Sequence, residues 1–155
     1  MEKRVYRDFI EITASKELKL FVRSVAASYR FVFEQQHYDF VKRVMMLDLV
    51  NINGSGMLAS RFASADPGDR LELSKDEVYL FYTMLELVCR SFLCEVGDDY
   101  KKIAMKLNQV SEEQYNRVRS TELIIAQTLI GQFRKDFMDD PDFEEISHRL
   151  VLLDQ

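Results

Sequence analysis

The sequence predicts an all-α fold, a single-domain helical bundle of five to seven helices, and three observations carry that expectation. Glycine and proline are scarce, 5 and 2 in 155 residues, whereas all-β folds need both at their many turns. Leu, Met, Glu, Lys, Arg, Ala and Gln are abundant instead, and these residues lose little side-chain freedom in a helix. Apolar residues also recur along the chain at helical spacing. With 47% apolar and 30% charged residues, the composition is neither that of a disordered chain nor that of a membrane protein. A chain of this length closes one core without metals or disulfides.

Taken in order, residues 4–13 read equally as a short helix or an extended lead-in. From Lys16 the stripe Leu18, Phe21, Val22, Val25, Tyr29, Val32, Phe33 follows helical spacing. That helix either runs on through "YDFVKRVMMLDLV" or breaks near His37–Asp39. "NINGSG" at 51–56 is expected to end it, because two glycines among small polar residues favour loops. Residues 57–73 form the least regular segment, with room for a short helix at 57–65. In "DPGD", 66–69, Pro and Gly stand where a type II turn wants them. "SKDE" is a capping box, in which Ser74 caps a helix start and Glu77 reaches back.

The helix opened by that box, about 75–96, is apolar on most sides and is expected to be the central one. Gly97 ends it, Asp98 caps a short helix, and a second box, "SEEQ" at 111–114, opens a long helix of about 112–138. Its stripe is Tyr115, Val118, Ile125, Ala126, Leu129, Phe133, Phe137. "DDP" at 139–141 stops it and starts a last helix with Pro141 at the first helical position. There Phe143, Ile146, Leu150 and Leu153 share a face. No internal repeat, low-complexity run or linker interrupts the chain.

The bulk charge and the cysteines narrow the function classes. A net charge of -5 argues against an unaided nucleic-acid binder, which needs a basic face. Cys89 and Cys94 lie five apart in an apolar helical run, a spacing that suits neither a disulfide nor a Cys-x-x-Cys metal site, and they read as reduced thiols of a cytoplasmic protein. "MEKRVYRDFIEI" lacks the apolar core of a signal peptide. Glu86 and Arg90 interrupt the most apolar window, so no membrane span is expected.

Polar residues at core positions are the first site candidates. Tyr79, Thr83, Glu86 and Arg90 form one polar line on the central helix, and Glu122 interrupts the stripe of the long one. A buried carboxylate must be paired, protonated or face a cavity. Glu86, Arg90 and Glu122 are therefore expected to form an interhelical cluster, structural in the first instance, with a small polar pocket between the two long helices as the functional reading.

Both histidines stand in one pattern, Glu34-x-x-His37 and Glu145-x-x-His148. With Glu86 and Glu122 added, this resembles the ligand set of ferritin-like di-metal carboxylate bundles, which place such motifs on inward helix faces. Direction opposes it, since Glu34 points away from the stripe of its helix and Glu145 and His148 lie largely opposite Phe143, Ile146 and Leu150. No Walker loop, nucleophile elbow or cofactor motif is present, and no cofactor or metal is expected.

"LCEVGDDYKKIAMKLNQVSEEQ", 93–114, supports three parses. Leu93, Val96, Gly97, Asp98 and Tyr100 resemble the partner-binding helix of apoptosis regulators, but such a helix must continue through its Gly-Asp, where Asp98 caps a new start. Tyr100, Ile103-Ala104, Leu107, Ser111, Gln114-Tyr115 and Val118 resemble helix-turn-helix sequences of the Myb/SANT and LuxR types. That resemblance would offer Gln114, Asn116, Arg117 and Arg119 to bases, and Lys101, Lys102 and Lys106 to phosphates. The third parse is a packing corner. The reading reached is a soluble, cytoplasmic, non-enzymatic module for protein interaction or regulation, whose partner is a protein, a second copy of the chain included, and not a membrane. A DNA-binding regulator using 99–120 is the alternative, and a di-metal carboxylate bundle the second.

Overall fold

Six consecutive residues, Phe81 to Glu86, are buried in the computed structural model. A helix buried all round has to be wrapped by its neighbours. The structure describes residues 9–34, 39–44, 46, 48–89, 101–102, 105–107, 109–137 and 140–153. Within them the chain runs β1 (Phe9–Thr13), α1 (Lys16–Glu34), α2 (Asp39–Val44), α3 (Leu49–Ser64), β2 (Arg70–Ser74), α4 (Lys75–Cys89), α5 (Glu112–Asp136) and α6 (Pro141–Leu153). Residues 101–102 and 105–107 are helical too. The protein is an all-α bundle with one small two-stranded sheet. Its centre is α4, which packs against α1, α3, α5, α6 and both strands.

The apolar stripes do what their spacing requires. Leu18, Phe21, Val22, Val25 and Tyr29 of α1 are buried, as are Tyr115, Ala126, Leu129, Phe133 and Phe137 along α5 and Phe143 and Leu150 on α6. Aromatic rings tie three helices together. Tyr82 of α4 lies 4.3 Å from Phe143 of α6, and Phe137, at the end of α5, lies 5.7 Å from Tyr79 and 6.2 Å from Phe143. Pairs of this kind contribute about 0.5–1.5 kcal/mol each beyond area burial.

The expected helix stop at "NINGSG" is overturned. These residues lie inside α3, which begins at Leu49 behind Asp48. The Asp48 carboxylate accepts from the Asn51 amide N–H at 2.8 Å, and Asn51 Oδ1 accepts from the Asp48 N–H at 3.3 Å, a reciprocal capping box. Ile52, Leu58 and Phe62 then bury one face, and that burial outweighs about 1 kcal/mol lost per mid-helix glycine. Gly54 also has a packing reason. A Cβ there would stand 3.1 Å from Leu80 Cδ2, so its absence lets α3 and α4 approach closely. Residues 57–65 are accordingly the second half of α3 rather than a separate short helix, and the stretch 16–51 is divided among α1, α2 and α3.

The extended alternative holds for residues 9–13, residues 4–8 lying outside the described ones, and its partner lies in the segment expected to be irregular. β1 pairs antiparallel with β2 from Phe9↔Ser74 to Thr13↔Arg70. Both strands alternate: Ile10, Ile12 and Leu73 face inward, while Glu11, Thr13, Arg70 and Glu72 are exposed. The type II turn expected at 66–69 is present, with Gly68 at φ 96° and the Asp69 N–H donating to the Asp66 carbonyl at 3.0 Å. The boxes at Ser74 and Ser111 also close as expected. The described part of the central helix ends at Cys89, so the expectations for 90–96, Gly97 and Asp98 fall outside the described residues. Among the described residues no helix is long and apolar enough to cross a membrane.

Because Ser111 satisfies the Gln114 N–H and holds the start of a 25-residue helix, Ser111→Ala is expected to lower stability by about 1 kcal/mol. In a chain of this size that is a fall of roughly 2–4 °C in Tm. Thermal melting followed at 222 nm checks it; an unchanged midpoint would show that the cap contributes nothing.

Candidate functional site

A cleft of about 490 Å³ is walled by α3, α4 and α6, with Tyr29 of α1 among its lining residues. Its lining is mainly apolar, with Leu58, Leu80 and Ile146 beneath and Val50 and Met57 on the lip. The lip residues are unusual for their exposure, 77% for Val50 and 70% for Met57. Tyr29 is 5% exposed, and burial, reinforced by the Asp48 carboxylate, holds its phenol well above the ordinary range. Thr83 donates its hydroxyl to the Tyr79 carbonyl at 2.9 Å, one turn back along α4.

Two arginines at the rim of this cleft are matched locally, and the exposed Asp76 also lines it. Arg61 of α3 bridges the Glu77 carboxylate and the Glu72 carbonyl, tying α3 to the β2–α4 corner. Burial pushes the Glu77 carboxyl up, but the Arg61 guanidinium and the Ser74 N–H together hold it below its usual value. Arg149 pairs with Glu145 one turn away on α6. What remains is a mainly apolar cleft of ligand-binding size with paired arginines and one exposed carboxylate, Asp76, at its edges.

Two further polar groups hold α4 in place. Glu86, only 6% exposed at its side chain, pairs with Arg134 of α5, whose Nε donates to the Tyr82 hydroxyl at 3.2 Å. Hydrogen bonding to Tyr82 holds the Arg134 guanidinium up, helped by Glu86 against partial burial. At the other end of α4, Lys75 Nζ stands 2.8 Å from Asp140 Oδ2 and 5.4 Å from the Tyr79 ring centre. Asp140 is fully buried, and its Oδ1 accepts from the Asp142 N–H at 3.0 Å, capping α6. Burial would raise the Asp140 carboxyl, yet the Lys75 ammonium and the Tyr79 hydroxyl beside it hold it below the usual carboxylate range. The Tyr79 hydroxyl is enclosed beside both, and burial and then the Asp140 carboxylate keep its proton bound well above the ordinary range.

The sequence candidates are distributed as follows. Glu86 and Glu122 are both buried, and the described cationic partner of Glu86 is Arg134, a residue the sequence reading did not single out. Arg90 lies outside the described residues. Tyr79 and Thr83 line the cleft on the α3 and α6 side of α4, whereas the polar pocket was expected between the two long helices. Gln114 is engaged in the capping box of α5, Arg117 donates to Glu113 at 2.6 Å, Asn116 is exposed, and the Arg119 side chain is not described. Lys101 pairs with Glu112, which holds the Glu112 carboxyl below its usual value. Glu34 lies near Arg30 at 3.5 Å, Glu145 is held by Arg149, His148 is exposed, and His37 falls outside the described residues. Among the described residues no group of three or more His, Cys, Asp or Glu is placed to hold a metal ion.

No known protein family, curated protein or solved structure matches this chain.

The cleft itself was missed by sequence reasoning. Its signal was available in α3: Leu49, Val50 and Met57 stand opposite Ile52, Leu58 and Phe62, giving that helix apolar residues on two faces.

The polar anchors carry two expectations. Arg134→Met should destabilise the fold by about 1–3 kcal/mol by withdrawing a partner from buried Glu86, read as a lower urea midpoint. For Asp140, a depressed folded-state value means its contribution is present above about 3.8 and lost as pH falls through the folded value. In Lys75→Met, burial acts with less opposition and the carboxyl rises, so acid unfolding should set in at higher pH. Circular dichroism against pH checks this; an unmoved acid midpoint would remove Lys75 from the account.

Proposed function

We propose that this chain is a non-enzymatic helical module for protein interaction or regulation, and that the exposed side of α3 with the adjoining cleft is its docking surface. The observation that carries this reading is the outward apolar set on α3: Leu49, Val50 and Met57 are 57%, 77% and 70% exposed beside a cleft with an apolar floor. Large apolar side chains left in water next to a concavity are characteristic of surfaces that another macromolecule covers. The two rim arginines are paired in place, Arg61 by Glu77 and Arg149 by Glu145, which reduces the desolvation cost of covering them, and Asp76 leaves one carboxylate at the rim. The cytoplasm suits the module, because two cysteines five apart in one run are better served as thiols than as a bridge.

The duplex-reading alternative finds less support, since Gln114 and Arg117 are already engaged and α5 begins with Glu112 and Glu113. The expected outcome is that the full chain, recovered under native conditions, carries a macromolecular partner, itself or another. Val50→Asp with Met57→Asp, folded by circular dichroism, should lose that partner by about a hundredfold or more, because each buried charge costs several kcal/mol. Native mass spectrometry of the recovered material reads the result. A chain recovered alone, or a partner held equally by the double variant, would overturn the proposal.

A further inference from the structure

We infer that the cleft between α3, α4 and α6 is a small-molecule site for an apolar amine, whose ammonium is held by Asp76 and whose far end carries a polar group taken by the Tyr29 hydroxyl. This goes beyond the docking reading and does not rest on it. Most polar side chains of the lining are already answered. Arg61 holds Glu77, Arg149 holds Glu145, Thr83 donates to the Tyr79 carbonyl, and Asn51 Oδ1 accepts from the Asp48 N–H. Tyr29 and Asp76 are not. Tyr29 is 5% exposed, yet no described group hydrogen-bonds its hydroxyl. That hydroxyl is not sealed in as the Tyr79 hydroxyl is, so it opens on the cleft that Tyr29 lines. Polar groups this deeply placed are paired in nearly all folded proteins, and here the cleft is where a partner has room. Asp76 is exposed at the rim and has no hydrogen bond or ion pair among the described residues.

The two groups lie at opposite ends of the cleft. Helices α3 and α4 run antiparallel, since Arg61 near the end of α3 reaches Glu77 in the first turn of α4, and Gly54 lies against Leu80 further along. Asp76 belongs to the Arg61 end. Tyr29 belongs to the other, where the Asp48 carboxylate at the start of α3 acts on its phenol. Between them Leu58, Leu80 and Ile146 form an apolar floor. Asp76 and Thr83, both lining residues of α4, stand two helical turns apart, about 10 Å along the axis. A ring with a short alkyl arm spans roughly that length. A cleft of about 490 Å³ is also the size of pockets that enclose small ligands.

The charge of the occupant follows from what surrounds it. Arg61, Arg149 and Lys75 are each held by a carboxylate, Glu77, Glu145 and Asp140. Asp76 at one end and Asp48 at the other have no described cation beside them, Asp48 accepting from the Asn51 N–H. Both ends therefore favour a cation, and an organic acid would meet a carboxylate at either. The Tyr29 phenol keeps its proton, held by burial and by Asp48, so it offers a neutral hydroxyl to donate or accept. One carboxylate and one neutral polar group across an apolar middle are complementary to an arylalkylamine with a polar substituent on its ring.

Isothermal titration calorimetry on the full chain tests this with tyramine, which carries both polar ends, phenethylamine, which lacks the hydroxyl, and 4-ethylphenol, which lacks the ammonium. The expected result is saturable one-to-one binding, with tyramine favoured over phenethylamine by about fivefold and over 4-ethylphenol by roughly threefold. Tyr29→Phe should erase the first preference and Asp76→Asn the second, each leaving the other in place. Both variants should keep the wild-type circular dichroism, because neither group is bonded to another described residue. Absence of saturable binding overturns the inference, as do preferences that persist in both variants. If the chain binds no probe yet loses a macromolecular partner in Val50→Asp with Met57→Asp, the small-molecule site is refuted while the docking surface stands; a chain with neither loses both.

Discussion

Burial of α4 from Phe81 to Glu86 is the constraint on which the rest of this structure depends. A polar side chain on the buried part of this helix has to be answered within the chain, and the half-buried Lys75 and Glu77 of its first turn are paired as well, while Asp76 is exposed. Glu86 is answered by Arg134 of α5, Thr83 by the α4 backbone, Lys75 by Asp140 at the start of α6, and Glu77 by Arg61 of α3. These links do more than avoid a penalty. Each joins a definite point on α4 to a definite point on another helix or back onto its own turn, and so sets how the apolar stripes meet.

The end of the bundle near Asp140 shows how local and tertiary requirements combine. Asp140 caps α6 with one carboxylate oxygen and receives Lys75 with the other, so the helix start and the interhelical tie share one side chain. Lys75 Nζ lies over the Tyr79 ring, which packs against Phe137 and Phe143. The outer side of α3 follows the opposite logic. There the exposed side chains are uncharged, Leu49, Val50 and Met57 among them. One molecule thus carries paired polar groups in its interior and exposed apolar side chains on the outside of α3.

Much of this was legible along the chain. The spacing of Leu18, Phe21, Val22, Val25 and Tyr29 marks α1, the boxes at Ser74 and Ser111 mark the starts of α4 and α5, and Asp66–Asp69 is a type II turn by composition alone. These are signals carried by residues within one or two turns of each other. The strands were harder to see. "FIEIT" and "RLELS" both alternate, but a two-stranded ribbon is marginal by itself, and its partners are about sixty residues apart in sequence. The glycines of α3 misled for a related reason: conformational freedom is a local property, while the burial of Ile52, Leu58 and Phe62 that holds the helix is not.

The sequence by itself determined the class of fold, the places where most helices begin, and which residues could not remain in water, because capping, periodicity and hydrophobic burial act through neighbours in the chain. Only the tertiary structure decided that Glu86 meets Arg134, that "NINGSG" is helical, that two distant segments pair as strands, and that Val50 and Met57 stand open beside a cleft. Those outcomes depend on which surfaces come within a few ångströms of one another, and no residue carries that information alone.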